Sequence, residues 1–186
     1  KKPVEGMDPI QSELLGAVVE TVAASRQAML EPYDATASAL TAADELRRIL
    51  GQQSGVIIPR IVLVTKVYSY GDYEVINPPR FKAGSEIHAY VYTEVANFRC
   101  EPIDEDRLRT LLGQRVQIFD AAGQVVWERH EDNIEDRVRT PRRDFFIPFP
   151  VRLPATLPPG DYVLKVTVED HIGDTTDQQR LSFSIQ

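Results

Sequence analysis

The chain has 186 residues, 42% of them hydrophobic and 26% charged, with a formal net charge of −7 and a pI near 5.0. That length suits one domain with a small appendage and lets folding bury roughly 70% of the unfolded surface, so neither a metal nor a disulfide staple is required. The acidic balance works against phosphate backbones and anionic lipid, which excludes nucleic acid as an expected partner, and the single cysteine, Cys100, leaves no internal disulfide.

No run of about 18 apolar residues occurs, so no membrane span is expected. One cysteine fits a reducing cytosol and equally the Cys-poor exported proteins of bacteria. The chain opens on KKPVEG and not on Met, as a processed mature form or an excised piece does.

The first third carries helical signals. Asp8 supplies an N-cap and Pro9 a preset first turn. Ile10, Leu14, Val18 and Val22 recur every four residues beside Leu15, Val19, Met29 and Leu30, forming one apolar stripe that Pro32 ends. A second, Ala-rich helix follows from Asp34, with Leu40, Ala43, Leu46, Ile49 and Leu50 to one side and Gly51 as a left-handed stop. A link of roughly three or four residues between the two makes a helical hairpin.

From Arg60 the period changes to two. IVLVTKVYSY is apolar on both faces, as in a central strand. The next run sets Ile87, Ala89, Val91, Thr93 and Val95 on one face and His88, Tyr90, Tyr92 and Glu94 on the other. Glu101–Asp106 is expected as a solvated loop leading into a helical turn at EDRLRTLLG. RVQIFD and QVVWERH form a hairpin around Ala121, Ala122 and Gly123. Phe145, Ile147, Phe149, Val151 and Leu153 point one way, while Pro148 and Pro150 share the other parity and, lacking N–H donors, suggest an edge strand or an extended crossing between sheets. Pro158, Pro159 and Gly160 make a turn, after which Tyr162, Leu164, Val166 and Val168 line the core. HIGDTTDQQ then forms a loop, and Leu181, Phe183 and Ile185 return. About seven strands with frequent turns predict an antiparallel immunoglobulin-like β-sandwich over residues 56–186, preceded by a helical hairpin over 1–55.

An ordered set of residues carries a resemblance. Tyr70, Gly71 and Tyr73 come first, then Phe81 and Gly84, then Tyr92, Glu94, Asn97 and Phe98. Leu157, Pro158, Pro159, Gly160, Tyr162, Leu164 and Asp170 close it. This set, over roughly residues 60–186, resembles an uncharacterised domain of planctomycete-type bacterial proteins. The resemblance implies a domain often found in exported or envelope proteins and carries over no catalytic residue.

Candidate chemistry is sparse. His88, His130 and His171 lie in no zinc or H-x-x-x-H spacing. Cys100 has Arg99 and Glu101 beside it, which pull its thiol in opposite directions. Asp170, Asp174 and Asp177, near Glu169, form an oxygen cluster of the kind calcium uses, without the calcium-loop spacing; Asp170 is expected to accept backbone N–H groups. Arg137, Arg139, Arg142 and Arg143 form a candidate anion patch, but Glu128, Glu131, Asp132, Glu135 and Asp136 stand immediately before them, so a long self-neutralising connection is expected. Tyr68, Tyr70, Tyr73, Tyr90 and Tyr92 offer either a stacking platform for sugars or a covered sheet face. Glu94 and Asp170 are the acids that a hydrolase would need within about 5 to 10 Å of each other. The resulting expectation is a non-catalytic structural or protein-interaction module without a cofactor. Self-association through the N-terminal helices is one partner, and a carbohydrate- or calcium-dependent binding domain is the alternative.

Overall fold

The computed structural model describes residues 7–140, 142 and 145–186, apart from the side chains of residues 33 and 34. The chain divides into two compact units, residues 1–54 and 55–186.

In the first unit, α1 (Pro9–Leu30) begins at a capping box. The Asp8 side chain accepts the Gln11 N–H at 2.8 Å, and the Gln11 side-chain oxygen accepts the Asp8 N–H at 3.2 Å. Glu31 alone separates α1 from α2 (Pro32–Gln53), a tighter junction than the expected three or four residues. Pro32 opens α2 because the first turn needs no N–H from it. Gly51 is not the stop. It lies inside α2, which runs to Gln53 and ends with the Ser54 N–H donating to the Leu50 carbonyl at 3.1 Å.

Burial along α1 follows Leu14, Ala17, Thr21, Ala24 and Ala28, with Ser12, Gly16 and Ser25 also half-buried, and along α2 it follows Ala35, Ala39, Ala42, Leu46 and Ile49, with Gly51 half-buried. The Thr21 hydroxyl reaches across the hairpin to the Ala42 carbonyl at 3.0 Å, and Arg48 lies 3.4 Å from Glu13. This alternating three–four step stays on one line of a helix, whereas the expected every-fourth stripe drifts by about 40° per step. Of Ile10, Leu14, Val18 and Val22, only Leu14 is drawn in, and Val22 stays 64% exposed.

The second unit is an antiparallel, immunoglobulin-like β-sandwich. One sheet has the order β2 (Asp72–Val75), β1 (Ile57–Ser69), β4 (Ile87–Ala96), β8 (Phe145–Leu153). The other runs β3 (Arg80–Phe81), β10 (Thr175–Ile185), β9 (Gly160–Asp170), β6 (Leu108–Phe119), β5 (Glu101–Pro102), with β7 (Val125–Val138) also paired to β6. Every pairing is antiparallel except the two-residue contact of β3 with β10. Leu63, Val91, Phe149 and Val151 from the first sheet pack into one buried cluster with Val116, Ile118, Leu164, Val166 and Phe183 from the second.

The alternations read from sequence hold in β4, β8 and β9. Ile87, Ala89, Val91, Thr93 and Val95 are all buried, as are Phe145 through Leu153 at every second position. β8 is an edge strand, and its two prolines withhold N–H groups on one lateral side, which blunts that edge against further pairing.

Three segments differ from the sequence expectation. The expected helical turn at EDRLRTLLG is the start of β6, paired to β7 from Leu108 onward. The charge run is not a connection but most of β7, a 14-residue strand. Its dense charge hides the period-two signal yet suits a sheet edge. The loop HIGDTTDQQ shrinks to His171–Asp174, because Thr175–Gln179 pair with Val166–Asp170.

Candidate functional site

The outer face of the β2–β1–β4–β8 sheet gathers the aromatic residues. The β1–β2 turn passes through Gly71 at φ +73°, a backbone that a side chain would strain. There the Gly71 N–H donates to the Tyr92 hydroxyl at 2.8 Å. Tyr92 is 0% exposed. Its ring lies 4.3 Å from that of Tyr73 and stacks at 5.4 Å on Phe146, and Tyr70 meets Phe146 edge-on at 6.3 Å. The cover over Tyr92 therefore comes from within its own sheet. Burial raises the Tyr92 phenol above its ordinary pKa, against the smaller opposing pull of the Gly71 N–H.

Beside this cluster, Lys66, Val67, Tyr68, Tyr90, Phe146 and Pro148 line a depression of about 420 Å³. Tyr68 is 60% exposed, Tyr70 41% and Tyr90 40%. The Tyr68 hydroxyl donates to Glu74, which raises the phenol pKa and holds the carboxylate below its usual range. Arg60 donates to the Tyr73 hydroxyl at 3.0 Å and stands 4.0 Å from Glu94. Of the tyrosines singled out from sequence, Tyr70, Tyr73 and Tyr92 converge on one ring cluster and Tyr90 borders it. Tyr92 is structural, with no free face. Phe146 and Pro148 were missed as members of the site; their shared parity, opposite to the core residues of β8, was the available signal.

The other candidates sit elsewhere. Asp170, 2% exposed, accepts the Arg99 N–H at 2.7 Å through one carboxylate oxygen and those of Ile172 and Gly173 at 3.1 and 3.0 Å through the other. It ties the β9–β10 turn to the segment after β4, as expected of an aspartate at a turn. Asp177 lies in β10, not in a loop. It accepts the Ile58 N–H at 2.7 Å and the Gln178 N–H at 2.7 Å. Asp174 is exposed at φ +50°. Among the described residues no three His, Cys, Asp or Glu side chains converge as metal ligands.

Arg139 stands 3.5 Å from Asp106 and Arg142 3.0 Å from Asp136, while Arg143 lies outside the described residues. His88 is beside Glu86, His130 beside Asp132, and His171 beside Gly113, on three different elements. Cys100 Sγ lies 3.2 Å from the Thr110 hydroxyl. A wider concavity of about 840 Å³ covers part of the other sheet, bordered by Arg80, Phe119, Asp161, Arg180 and Ser184. Among the described residues, no helix is long and apolar enough to cross a membrane.

No protein-family model and no curated protein matches the chain. Among solved structures, it is similar to the C-terminal domain of Wzt at 14% identity and a TM-score of 0.44, over 72% of this chain and 75% of that one. A CARDB domain from Pyrococcus furiosus, crystallised with di-metal ions, gives 12% identity and a TM-score of 0.36 over 69% and 94%. The Parabacteroides merdae β-glucuronidase gives 16% identity and a TM-score of 0.39, over 70% of this chain but only 14% of the enzyme's length. These likenesses place the chain in no family.

Proposed function

We propose that the chain is a non-catalytic protein-interaction module. One observation carries this reading. Among the described candidates, Asp170 and Asp177 are held by backbone N–H groups and Glu94, Arg139 and Arg142 stand in ion pairs, while large apolar and aromatic side chains stand in water on both units. Exposed apolar groups gathered on one face, and not scattered singly, mark a surface that meets a partner. The resemblance to envelope-associated bacterial domains adds the proposal of an exported location. Hydrolysis of chromogenic esters or glycosides that disappears in Glu94→Gln would overturn the non-catalytic reading.

A second reading has its own support. Tyr68, Tyr70 and Tyr90, rimmed by Lys66 and Glu74, form an exposed aromatic surface of the kind that stacks on oligosaccharides. A glycan array would report binding that Tyr90→Ala abolishes. An array without binders would dispose of this reading and leave the first standing.

A further inference from the structure

α1 carries two seams. The Ala-rich seam, Leu14, Ala17, Thr21, Ala24 and Ala28, lies along the hairpin. A second seam, rotated from it by about 100° on a 3.6-residue helix, holds Leu15, Val18, Val22 and Met29, with Val19 at its flank. All five are exposed, Met29 at 80% and Val19 at 57%. The intervals 15–18–22–25–29 are again the three–four alternation of a helix that packs against another helix, with Ser25 at the fourth place.

We propose that two copies of the chain associate through this second seam, α1 against α1 in antiparallel orientation. The inference rests on the interaction-module reading and names the partner as a second copy.

The occupant follows from area, pattern and charge. The exposed parts of the five side chains amount to on the order of 500 Å² per copy, so two copies together reach the roughly 1,000 Å² that a specific interface must clear. A two-fold axis near residue 20 sets Val18 against the copy's Val22, and Leu15 against its Ser25. The two central layers then pair Val with Val and Leu with Ser, Met29 closes each end opposite the copy's Gln11, and the face is self-complementary, as an isologous interface demands. The acids of α1 stay off the seam, since Glu13 and Glu20 project on the far side of the helix. Arg26 is the one charge at the seam's margin, and antiparallel pairing holds the two copies of it about 18 Å apart along the axis.

Sedimentation of the full chain tests this, with cross-linking in a Cys100→Ser background. The expected mass is twice 21.0 kDa. Val22→Glu should return the monomer with its helical circular dichroism intact. Val22→Cys should cross-link with itself through a short bis-maleimide, because the paired residues lie about 6 Å apart along the axis; Met29→Cys should not, at about 27 Å. Equal cross-linking at both positions would overturn the antiparallel arrangement, and a dimer that survives Val22→Glu would overturn the seam. A monomer whose Val22→Cys thiol reacts freely would overturn self-association while leaving an open interaction surface. A monomer whose Val22→Cys thiol is protected would show the seam covered within the chain, and would overturn this inference together with the apolar-surface reading beneath it.

Discussion

Replacing Asp170 with alanine removes the acceptor for three backbone N–H groups at once, those of Arg99, Ile172 and Gly173. The carboxylate is 2% exposed, so its bonds are shielded from water, and each hydrogen bond to a charged group contributes about 1.5 to 3 kcal/mol net. Arg99 and the turn regain some hydration in the variant, which holds the expected loss to about 3 to 5 kcal/mol. Asp170→Asn keeps one oxygen for Ile172 and Gly173 but turns an NH₂ toward the Arg99 N–H, for a loss of about 2 kcal/mol. Urea unfolding followed by the fluorescence of Trp127, the single tryptophan and half-buried in β7, measures both. Hydrogen exchange should speed up first at the Arg99, Ile172 and Gly173 amides. A loss below about 1 kcal/mol in Asp170→Ala at an unchanged denaturant slope would refute the view that this residue ties the turn to the strand end.

Tyr92→Phe should cost about 1 kcal/mol through the orphaned Gly71 N–H, and Tyr92→Ala about 3 to 5 kcal/mol through the lost ring, both read by thermal denaturation. Because burial raises the Tyr92 phenol pKa, its contribution is fully present below the unfolded value of about 10 and is lost as pH rises through the folded value. Alkaline unfolding should therefore start later in Tyr92→Phe relative to its own neutral-pH stability. Tyr90→Ala should change stability by no more than about 0.5 kcal/mol, since its ring is a surface group; a cost like that of Tyr92→Ala would make it structural. Gly55→Ala should destabilise by about 1 to 3 kcal/mol, because its new methyl would meet the Thr175 Cβ at 2.6 Å while Thr175 accepts the Val56 N–H; circular dichroism melting reads the effect.

Periodicity and turn chemistry alone determined the hairpin-then-sandwich order, the inward residues of β4, β8 and β9 and the local role of Asp170. Each depends on interactions within a few residues or on the pleat itself, so each leaves a mark in the string. The prolines of β8 left an edge strand and a crossing between sheets both open until strand pairing decided for the edge. β7 escaped because its middle stretch, residues 128–133, is exposed at every position and so shows no apolar alternation, and its charges then read as a connection. The apolar stripe of α1 was visible, but not which face the hairpin would use. Small residues on a three–four line let two helices approach closely, and that choice outranks side-chain size. The aromatic cluster likewise exists only in three dimensions. Tyr70, Tyr73, Tyr92 and Phe146 come from two strands, a turn and a distant edge, and only strand pairing decides that Tyr92 is sealed while Tyr90 meets solvent.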